Sequence, residues 1–211
     1  MNEMKRVSPV VLKGMPVKTE TKDNWEVVKE YKGEESDGPF LVDLTHKQRF
    51  DFQDAHLEEH KPFQMTLPKI PGESVIDKKM VVNRMNTTQI SIYNLGENRI
   101  PMPESSGFTD VTEATIFVAL LGKSVFQICE KLTALDFMDS ERKTPFLLQG
   151  PFSHVPCQIV TLSKNIDNSG VILTCSKGYG RDMTHAILNA GKEFGLKPGG
   201  EEKFNNFINE L

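Results

Sequence analysis

The chain has 211 residues, of which 26% are charged and 38% hydrophobic, and its formal net charge is −4 at pH 7. These values are typical of a globular protein with room for one large domain or two small ones. The acidic balance, with Lys and Arg scattered along the chain, argues against nucleic-acid binding, which normally uses a basic face. No apolar run approaches the ~20 residues that span a bilayer, and the amino-terminal segment lacks the apolar core of a secretory signal.

The cysteines give a hint about the compartment. Cys129, Cys157 and Cys175 each lie inside an apolar segment, and no two of them share a metal-binding C-x-x-C spacing. An odd number of such residues is typical of reduced thiols buried in a core. We therefore expect a cytoplasmic protein.

The first residues carry weak patterns. Residues 1–22 are polar and loosely patterned, and they predict an extended amino-terminal arm. A short helix is expected at residues 23–31, because Trp25, Val28 and Tyr31 recur at helical spacing after a residue that can cap a helix.

Strands are predicted in the next part of the chain. A solvated loop at residues 33–38 precedes a strand at residues 39–44. Residues 49–53 alternate charged and aromatic side chains, which favours an edge strand. Residues 75–84 and 89–95 predict two more strands, joined by a polar turn.

A boundary between two halves is expected at residues 96–107, which are rich in glycine and proline. We therefore predict three parts: an extended arm over residues 1–22, an α+β subdomain over residues 23–107 and a second α+β subdomain over residues 108–211.

The second half has the order strand, helix, two or three strands, helix. Residues 113–121 are dense in β-branched and aromatic residues and predict a buried strand, and the apolar residues of 124–135 fall on one helical face. Further strands are expected at residues 146–149, 155–162 and 170–175, and a second helix at residues 181–194, which ends at a glycine. This order is close to a split-βαβ (ferredoxin-like) arrangement, with both helices on one face of the sheet.

The last residues, 199–211, predict a short amphipathic helix. Such an apolar stripe at a chain end either packs on its own domain or serves as a docking surface. The whole pattern predicts the α+β class, with two small subdomains built on mostly antiparallel sheets.

One short string has a metal-binding spacing. His56–His60 reads HLEEH, which matches the H-x-x-E-H string of a class of zinc peptidases. A zinc site also needs a stable helix and a third ligand. The segment is short, highly charged and ends before Pro62, so a solvated surface turn explains it as well and we assign no metal site.

The sequence also contains a candidate Cys–His pair. His154 and Cys157 are three residues apart, and nucleophilic catalysis would need their side chains in contact. In a strand, residues three apart point to opposite faces, so Cys157 is more simply a buried core thiol. Glu113, Asp136 and Asp139 give no clear acid–base pair either, and we assign no catalytic residue.

The candidate ligand-binding residues precede the second helix of the second half. Gly178–Asp182 (GYGRD) lies where free amide groups can hold an anion, but its glycines do not complete the G-x-G-x-x-G fingerprint. A strand-to-helix turn that needs glycine explains them more simply. Arg181 is the best single candidate for binding a carboxylate or phosphate, with Tyr179 beside it.

Several phrases resemble a known family. Phe108–Gly122 (FTDVTEATIFVALLG), followed by a helix that ends in LTALD, resembles a stretch in the gamma subunit of heterotetrameric sarcosine oxidases. There an Asp-Val-Ser/Thr strand leads through a glycine turn into a helix ending in Leu-Asp. Residues 170–196 are similar to that family's closing strand and helix, and Leu67–Gly72 (LPKIPG) is similar to its Leu-Pro-x-x-Pro phrase. The match covers residues 65–198.

The resemblance implies a fold related to the folate-binding domain of the glycine-cleavage T-protein. It implies a small, mainly architectural subunit of a complex that oxidatively demethylates an N-methyl amino acid and can pass the one-carbon unit to tetrahydrofolate. The expected partners are larger flavoprotein subunits, which hold the flavins, so no cofactor is expected on this chain alone and it is not expected to be an enzyme on its own.

A free-standing folate-binding one-carbon transferase of the T-protein type is the alternative. Residues 83–89 hold no acid, and residues 165–170 lack the glutamate of the family's Tyr-Thr-Gly-Glu phrase. A pteridine needs a carboxylate for its amino-pyrimidine edge, and a buried polar group left unpaired costs about 1–3 kcal/mol. We therefore expect this chain alone to bind tetrahydrofolate weakly. A ligand-binding module unrelated to either family stays open as a third reading.

Overall fold

The computed structural model describes residues 4–34 and 38–211. The first three residues of the predicted arm and residues 35–37 of the predicted loop lie outside these ranges. The strands are β1 (Pro16–Lys22), β2 (Trp25–Tyr31), β3 (Phe40–Asp43), β4 (Arg49–Gln53), β5 (Ser74–Asp77), β6 (Met80–Arg84), β7 (Gln89–Asn94), β8 (Phe108–Asp110), β9 (Thr115–Leu121), β10 (Phe146–Phe152), β11 (Val155–Ser163), β12 (Gly170–Ser176) and β13 (Lys197–Gly199). The α-helices are α1 (Val125–Glu130), α2 (Gly180–Gly191) and α3 (Glu201–Asn209).

The strands form three sheets. The first is the β1–β2 hairpin, the second has five strands in the order β5-β6-β7-β4-β8, and the third has six in the order β10-β11-β12-β9-β3-β13. Neighbouring strands are antiparallel throughout, except for β13 and β3, which are parallel. The predicted α+β class with mostly antiparallel sheets is confirmed.

The two larger sheets exchange strands across the predicted boundary at residues 96–107. β3 precedes that segment and pairs with β9 in the six-stranded sheet, whereas β8 follows it and pairs with β4 in the five-stranded sheet. The division into residues 23–107 and 108–211 stays a prediction. The structure adds that each sheet contains one strand from the other side of that division.

The six-stranded sheet is covered on both faces. On one face α1 and α2 lie side by side, as predicted, and bury Val125, Cys129, Met183 and Ile187. On the opposite face Phe204 of α3 joins a core that the five-stranded sheet completes. The carboxy-terminal helix therefore packs on its own chain. No helix in the described residues is long and apolar enough to cross a membrane.

The helix predicted at residues 23–31 is wrong. Asp23 and Asn24 have φ values of 48° and 63°, which form a tight two-residue turn between β1 and β2. Turns with positive φ at both central positions match the twist of a hairpin, and Asp and Asn tolerate them. Trp25 is therefore the first residue of a strand whose buried side chains alternate.

The prediction of an edge strand at residues 49–53 is also wrong. β4 lies inside the five-stranded sheet, hydrogen-bonded to β7 on one side and to β8 on the other. Its aromatic residues Phe50 and Phe52 are buried on one face, and Arg49 is fully buried on the other. The charge at position 49 suggested a solvated face, but that side chain finds its partners inside the protein.

The predicted helix at residues 124–135 is shorter than expected. It ends as α1 at Glu130, and Leu132 and Leu135 lie in the turn that follows, still packed against the same core. The apolar spacing was therefore a sound guide to burial and a poor guide to the end of the helix.

A buried carboxylate ties the hairpin to the rest of the molecule. Glu201, the first residue of α3, is fully buried. Its oxygens lie 3.0 Å and 2.6 Å from the Nζ atoms of Lys22 and Lys29 in the hairpin. They also lie 3.0 Å from His46 Nε2 and 2.9 Å from Lys47 Nζ in the loop after β3. One carboxylate thus joins three segments that are far apart in sequence.

Candidate functional site

The predicted ligand residues lie at the start of α2. Tyr179 is 49% exposed in the turn before the helix, and Arg181 is exposed in its first turn. Among the described residues Arg181 forms no ion pair or side-chain hydrogen bond, and it lines neither the pocket beneath the amino-terminal arm nor the pocket beside α3. Its role as an anion ligand stays a prediction.

Gly180, between these two residues, is required by packing. A Cβ atom there would lie 2.6 Å from both Ile116 and Pro9, so the helix begins in close contact with β9 and with the amino-terminal arm. Packing against the arm accounts for this glycine without an anion.

The HLEEH segment forms a 3₁₀ turn, Leu57–Glu59. His60 Nε2 lies 3.2 Å from Asp54 Oδ2, and its ring meets the edge of Phe52. Over residues 4–34 and 38–211, no group of three or more His, Cys, Asp or Glu side chains is arranged to hold a metal ion.

The cysteines are core residues, as predicted. Cys129, Cys157 and Cys175 are all buried and free. His154 is exposed in the turn between β10 and β11, so the structure does not bring it to Cys157. A hydrogen bond with Cys175 and burial both raise the pKa of the Cys157 thiol, and burial raises that of Cys129. None of these features activates a nucleophile.

A row of polar side chains crosses the five-stranded sheet on the face toward the six-stranded sheet. We call Ser74, Asn83, Ser91, Asp51 and Thr109, which face one another across five strands, the polar row. Directly opposed residues share a face of a sheet. Ser74 Oγ donates to Asn83 Oδ1 at 2.6 Å, and Asn83 Nδ2 donates to Ser91 Oγ at 3.2 Å.

The polar row leads inward to a contact between the two sheets. Tyr93, on the same face, donates its hydroxyl proton to Gln158 Oε1 of β11 at 2.6 Å. Burial raises the pKa of this tyrosine, which therefore stays protonated. This contact places the polar row beside the gap between the sheets.

Asp51 is the functional candidate that sequence reasoning missed. The stretch searched for a pteridine-binding acid was 83–89, but the carboxylate of the polar row comes from β4. Burial raises the pKa of Asp51, although the Gln89 side chain opposes the change. The alternation of residues 49–53 places Asp51 on the face opposite Phe50 and Phe52. That face is an inner one only because β4 lies inside the sheet.

The second stretch compared with the folate family, residues 165–170, forms a surface turn. Its 3₁₀ segment Ile166–Asn168 is capped by Asn165, whose side chain accepts from Asp167 N at 3.1 Å. Ile166 is 72% exposed, and Asn168 donates to Glu210 after α3. Polar row and surface turn are separate features.

The amino-terminal arm, residues 4–15, exposes an unusual amount of apolar surface. Val10 is buried against the α1–α2 side of the core, which fixes the arm in place. The apolar side chains that face outward along the arm and into β1 are Met4 (87% exposed), Val7 (68%), Val11 (51%), Met15 (66%) and Val17 (65%). Exposed apolar residues gathered on one segment are characteristic of surfaces that bind other macromolecules.

Comparisons with known proteins show which folds this architecture is similar to. Neither the protein-family models nor the curated proteins match this sequence. Among solved structures, the chain is similar to a chain of heterotetrameric sarcosine oxidase from Corynebacterium sp. U-96, with a TM-score of 0.64 and 13% identity over 78% of this chain and 88% of that chain.

A second similar structure is the glycine cleavage system aminomethyltransferase T from Bartonella henselae. The TM-score is 0.59 and the identity 10%, over 88% of this chain and 56% of that chain. This protein thus spans just over half the length of the aminomethyltransferase. At such identities the likeness concerns the fold alone, and it confirms the predicted relation to the folds of sarcosine oxidase and the T-protein.

Proposed function

We propose that this chain is a non-catalytic, gamma-type subunit of a sarcosine-oxidase-like, folate-linked, amine-demethylating flavoenzyme complex. The observation that carries the proposal is the match to a chain of heterotetrameric sarcosine oxidase, which extends over 88% of that chain. Because four-fifths of one chain matches nearly nine-tenths of the other, the two are of similar length. The partners would be larger subunits that carry the flavins, and the complex would be cytoplasmic.

The exposed arm supports a role in assembly. Met4 and Met15, at its two ends, are 87% and 66% exposed, and a partner chain could cover them. Methionine suits such contacts because its flexible thioether adapts to irregular surfaces.

The proposal can be tested by purification of the tagged chain from its native source. We expect it to recover larger subunits whose visible absorbance spectrum is that of a bound flavin. A double variant, Met4→Asp with Met15→Asp, should lose the flavoprotein, because charges would be buried without partners at the contact.

The control is Ile166→Asp, which places an aspartate on a similarly exposed apolar residue of the surface turn between β11 and β12. It should recover the flavoprotein unchanged. If the unaltered chain recovers no flavoprotein, the subunit assignment is refuted. If both variants lose the flavoprotein equally, the arm is not the contact surface.

The polar row favours a second candidate, tetrahydrofolate binding by this chain itself. Asp51 is a half-buried carboxylate beside amide and hydroxyl groups, which is the chemistry that an amino-pyrimidine edge requires. Calorimetry with tetrahydrofolate should then give binding heat that Asp51→Asn abolishes. Loss of the heat in Arg181→Ala instead would assign the site to the start of α2, and no heat at high folate concentration would remove this candidate.

A further inference from the structure

A groove of about 460 Å³ lies beneath the amino-terminal arm, between the arm, β2 and the end of β3. We call it the arm groove. Its walls include the apolar side chains of Val10, Leu12, Trp25 and Val27. A pocket of this size that combines apolar walls with a few convergent polar groups can hold a small molecule.

Three polar side chains line the arm groove near the end of β3: Tyr31, Asp43 and His46. All three line the same groove, and the charge of Asp43 raises the pKa of Tyr31 and opposes the lowering of the pKa of His46 by burial. Asp43 Oδ1 accepts a hydrogen bond from Thr45 N at 2.9 Å. Its second oxygen has no hydrogen-bond partner among the described residues and is free to accept from a ligand.

His46, which also lines the arm groove, has a hydrogen-bond partner on one ring nitrogen only among the described residues. Its Nε2 lies 3.0 Å from Glu201 Oε1, so this nitrogen carries the proton. Burial lowers the pKa of His46 and keeps the ring neutral, although Glu201 opposes the change. The other nitrogen, Nδ1, is then an acceptor without a partner in the described part of the chain, on a side chain that is only 9% exposed.

Tyr31 adds a neutral hydroxyl. Burial, followed by the charges of Asp43 and Glu34, raises its pKa to about 12. The hydroxyl has no hydrogen-bond partner among the described residues, and it can donate or accept.

The cations near the arm groove are already occupied. At its mouth Arg6 pairs with Asp23 and Glu113, and Lys5 pairs with Glu26. Behind His46, Lys22 and Lys29 pair with both Glu201 and Glu20, and Lys47 pairs with Glu201. The groups without a partner among the described residues thus include a carboxylate oxygen, an imidazole lone pair and a hydroxyl, together with one donor, the buried Nε1 of Trp25.

We propose that the arm groove binds a small organic ammonium ion, a primary or secondary amine with a short apolar body, whose nitrogen is held by Asp43, His46 and Tyr31. The ammonium donates to the free Asp43 oxygen in a charge-assisted hydrogen bond and to His46 Nδ1. The apolar body lies along Trp25 and Val27. A carboxylate ligand would be repelled by the charge of Asp43, and an alcohol would form no charge-assisted hydrogen bond as a cation does.

The test uses the fluorescence of Trp25, which is the single tryptophan of the chain and lines the arm groove. Phenethylammonium is titrated into the full chain, with 2-phenylethanol and phenylacetate as neutral and anionic probes of similar shape. We expect a saturable change with the ammonium ion and an affinity at least about tenfold lower for the other two.

Asp43→Asn should weaken phenethylammonium binding about tenfold or more, since it removes the counter-ion and keeps the shape. Asp110→Asn is the matched control, because Asp110 accepts from Thr112 N at 2.9 Å in the same kind of turn and does not line the groove. Its affinity should equal that of the unaltered chain. Circular dichroism shows whether each variant is folded.

Equal binding of ammonium ion and alcohol, preference for phenylacetate, or no saturable change with any probe would each overturn the proposal. Unchanged ammonium binding in a folded Asp43→Asn protein would do the same. If Asp43→Asn does not fold, Tyr31→Phe, expected to weaken binding several-fold, and the order of the three probes on the unaltered chain decide the question.

Discussion

Glu201 and Arg49 are both fully buried charges, but the protein neutralises them in opposite ways. Glu201 is surrounded by the side chains of three lysines and a histidine. Arg49 forms no ion pair with the described residues. Its Nη atoms donate to the backbone oxygens of Thr45, Lys47, Thr112 and Thr115, its Nε donates to Thr115 Oγ1, and its guanidinium lies 5.1 Å from the centre of the Phe117 ring.

The difference shows what each charge contributes to the fold. Glu201, on α3, needs positive charge, and it draws that charge from the hairpin and from the loop after β3. Arg49 needs correctly placed oxygen atoms, and its planar fork joins the turn after β3 to the turn before β9, where the chain passes between the two larger sheets. Burial lowers the pKa of Arg49 to about 10, yet it remains charged at neutral pH.

The largest effect is expected for Glu201→Gln. It leaves the buried Lys29 and Lys47 and the partly exposed Lys22 without the Glu201 carboxylate, and breaking a buried charge pair costs about 3–5 kcal/mol. Urea unfolding followed by circular dichroism measures the free energy of unfolding. Glu202→Gln is the matched control, because its carboxylate lies one residue further on and pairs with exposed Lys18. A Glu201→Gln protein as stable as this control would show that the lysines find other partners.

Arg49→Lys should have the next largest effect. Lysine keeps the charge but has no planar fork, so at least one buried carbonyl loses its donor, at a cost of about 2–3 kcal/mol. Arg84→Lys is the control, because Arg84 also donates to two carbonyls, Asn86 O and Thr87 O, but within its own turn. Its loss of stability in the same urea experiment should be less than half as large. If the two variants lose equal amounts of unfolding free energy, hydrogen bonds that join distant turns stabilise the fold no more than hydrogen bonds within one turn.

The sequence predicted most of the second half of the fold, because its partners are mostly local or follow regular apolar spacing. β9 and α2 were found where continuous apolar or helical patterns placed them. The hairpin was missed because Trp25, Val28 and Tyr31 recur at helical spacing, whereas the burial of Lys29 depends on Glu201, which is 172 residues away. The Asp23-Asn24 turn was the local signal that favoured a hairpin.

The same limit applies to the candidate sites. Asp43 and His46 are unremarkable in the sequence, since each is a single polar residue near a strand end. They become a candidate site only because the arm and β2 fold over them and because Glu201 fixes the proton on His46 Nε2. Neither relation leaves a periodic or motif-like trace that sequence analysis could detect.

Acid should weaken the Glu201 cluster specifically. Burial opposes ionisation of Glu201, but the hydrogen bond from His46 and the charge of Lys47 outweigh it and hold the pKa of the carboxyl well below its usual range. A lowered folded-state pKa gives stability that is present above the unfolded-state value near 4.5 and is lost as the pH falls toward the folded-state value. Below pH 4.5 the unaltered chain should therefore lose at most about 1.4 kcal/mol per pH unit relative to Glu201→Gln.

Urea unfolding of both proteins between pH 3 and pH 6 measures this difference. The two stability curves should converge as the pH falls and run parallel near neutrality. Curves that stay parallel through the acid range would show that Glu201 has the same affinity for protons in the folded and unfolded states.

The smallest effect is expected for Lys22→Met, and it separates the number of cations from their arrangement. Lys22 is the most exposed of the three lysines, with 18% of its side chain accessible, and it shares the Glu201 Oε2 atom with Lys29. Its loss leaves Lys29, Lys47 and His46 around the carboxylate and relieves the repulsion by which Lys22 helps to lower the pKa of Lys47. These changes oppose each other, so the free energy of unfolding should fall by no more than about 1 kcal/mol.

Lys29→Met is the matched comparison, because the Lys29 ammonium lies closer to Glu201, at 2.6 Å, and is only 6% exposed. It should cost clearly more. Equal losses of unfolding free energy in the two variants would mean that only the number of cations around Glu201 matters for stability. Glu201 would then differ from Arg49, whose stabilising effect depends on where its oxygen partners lie.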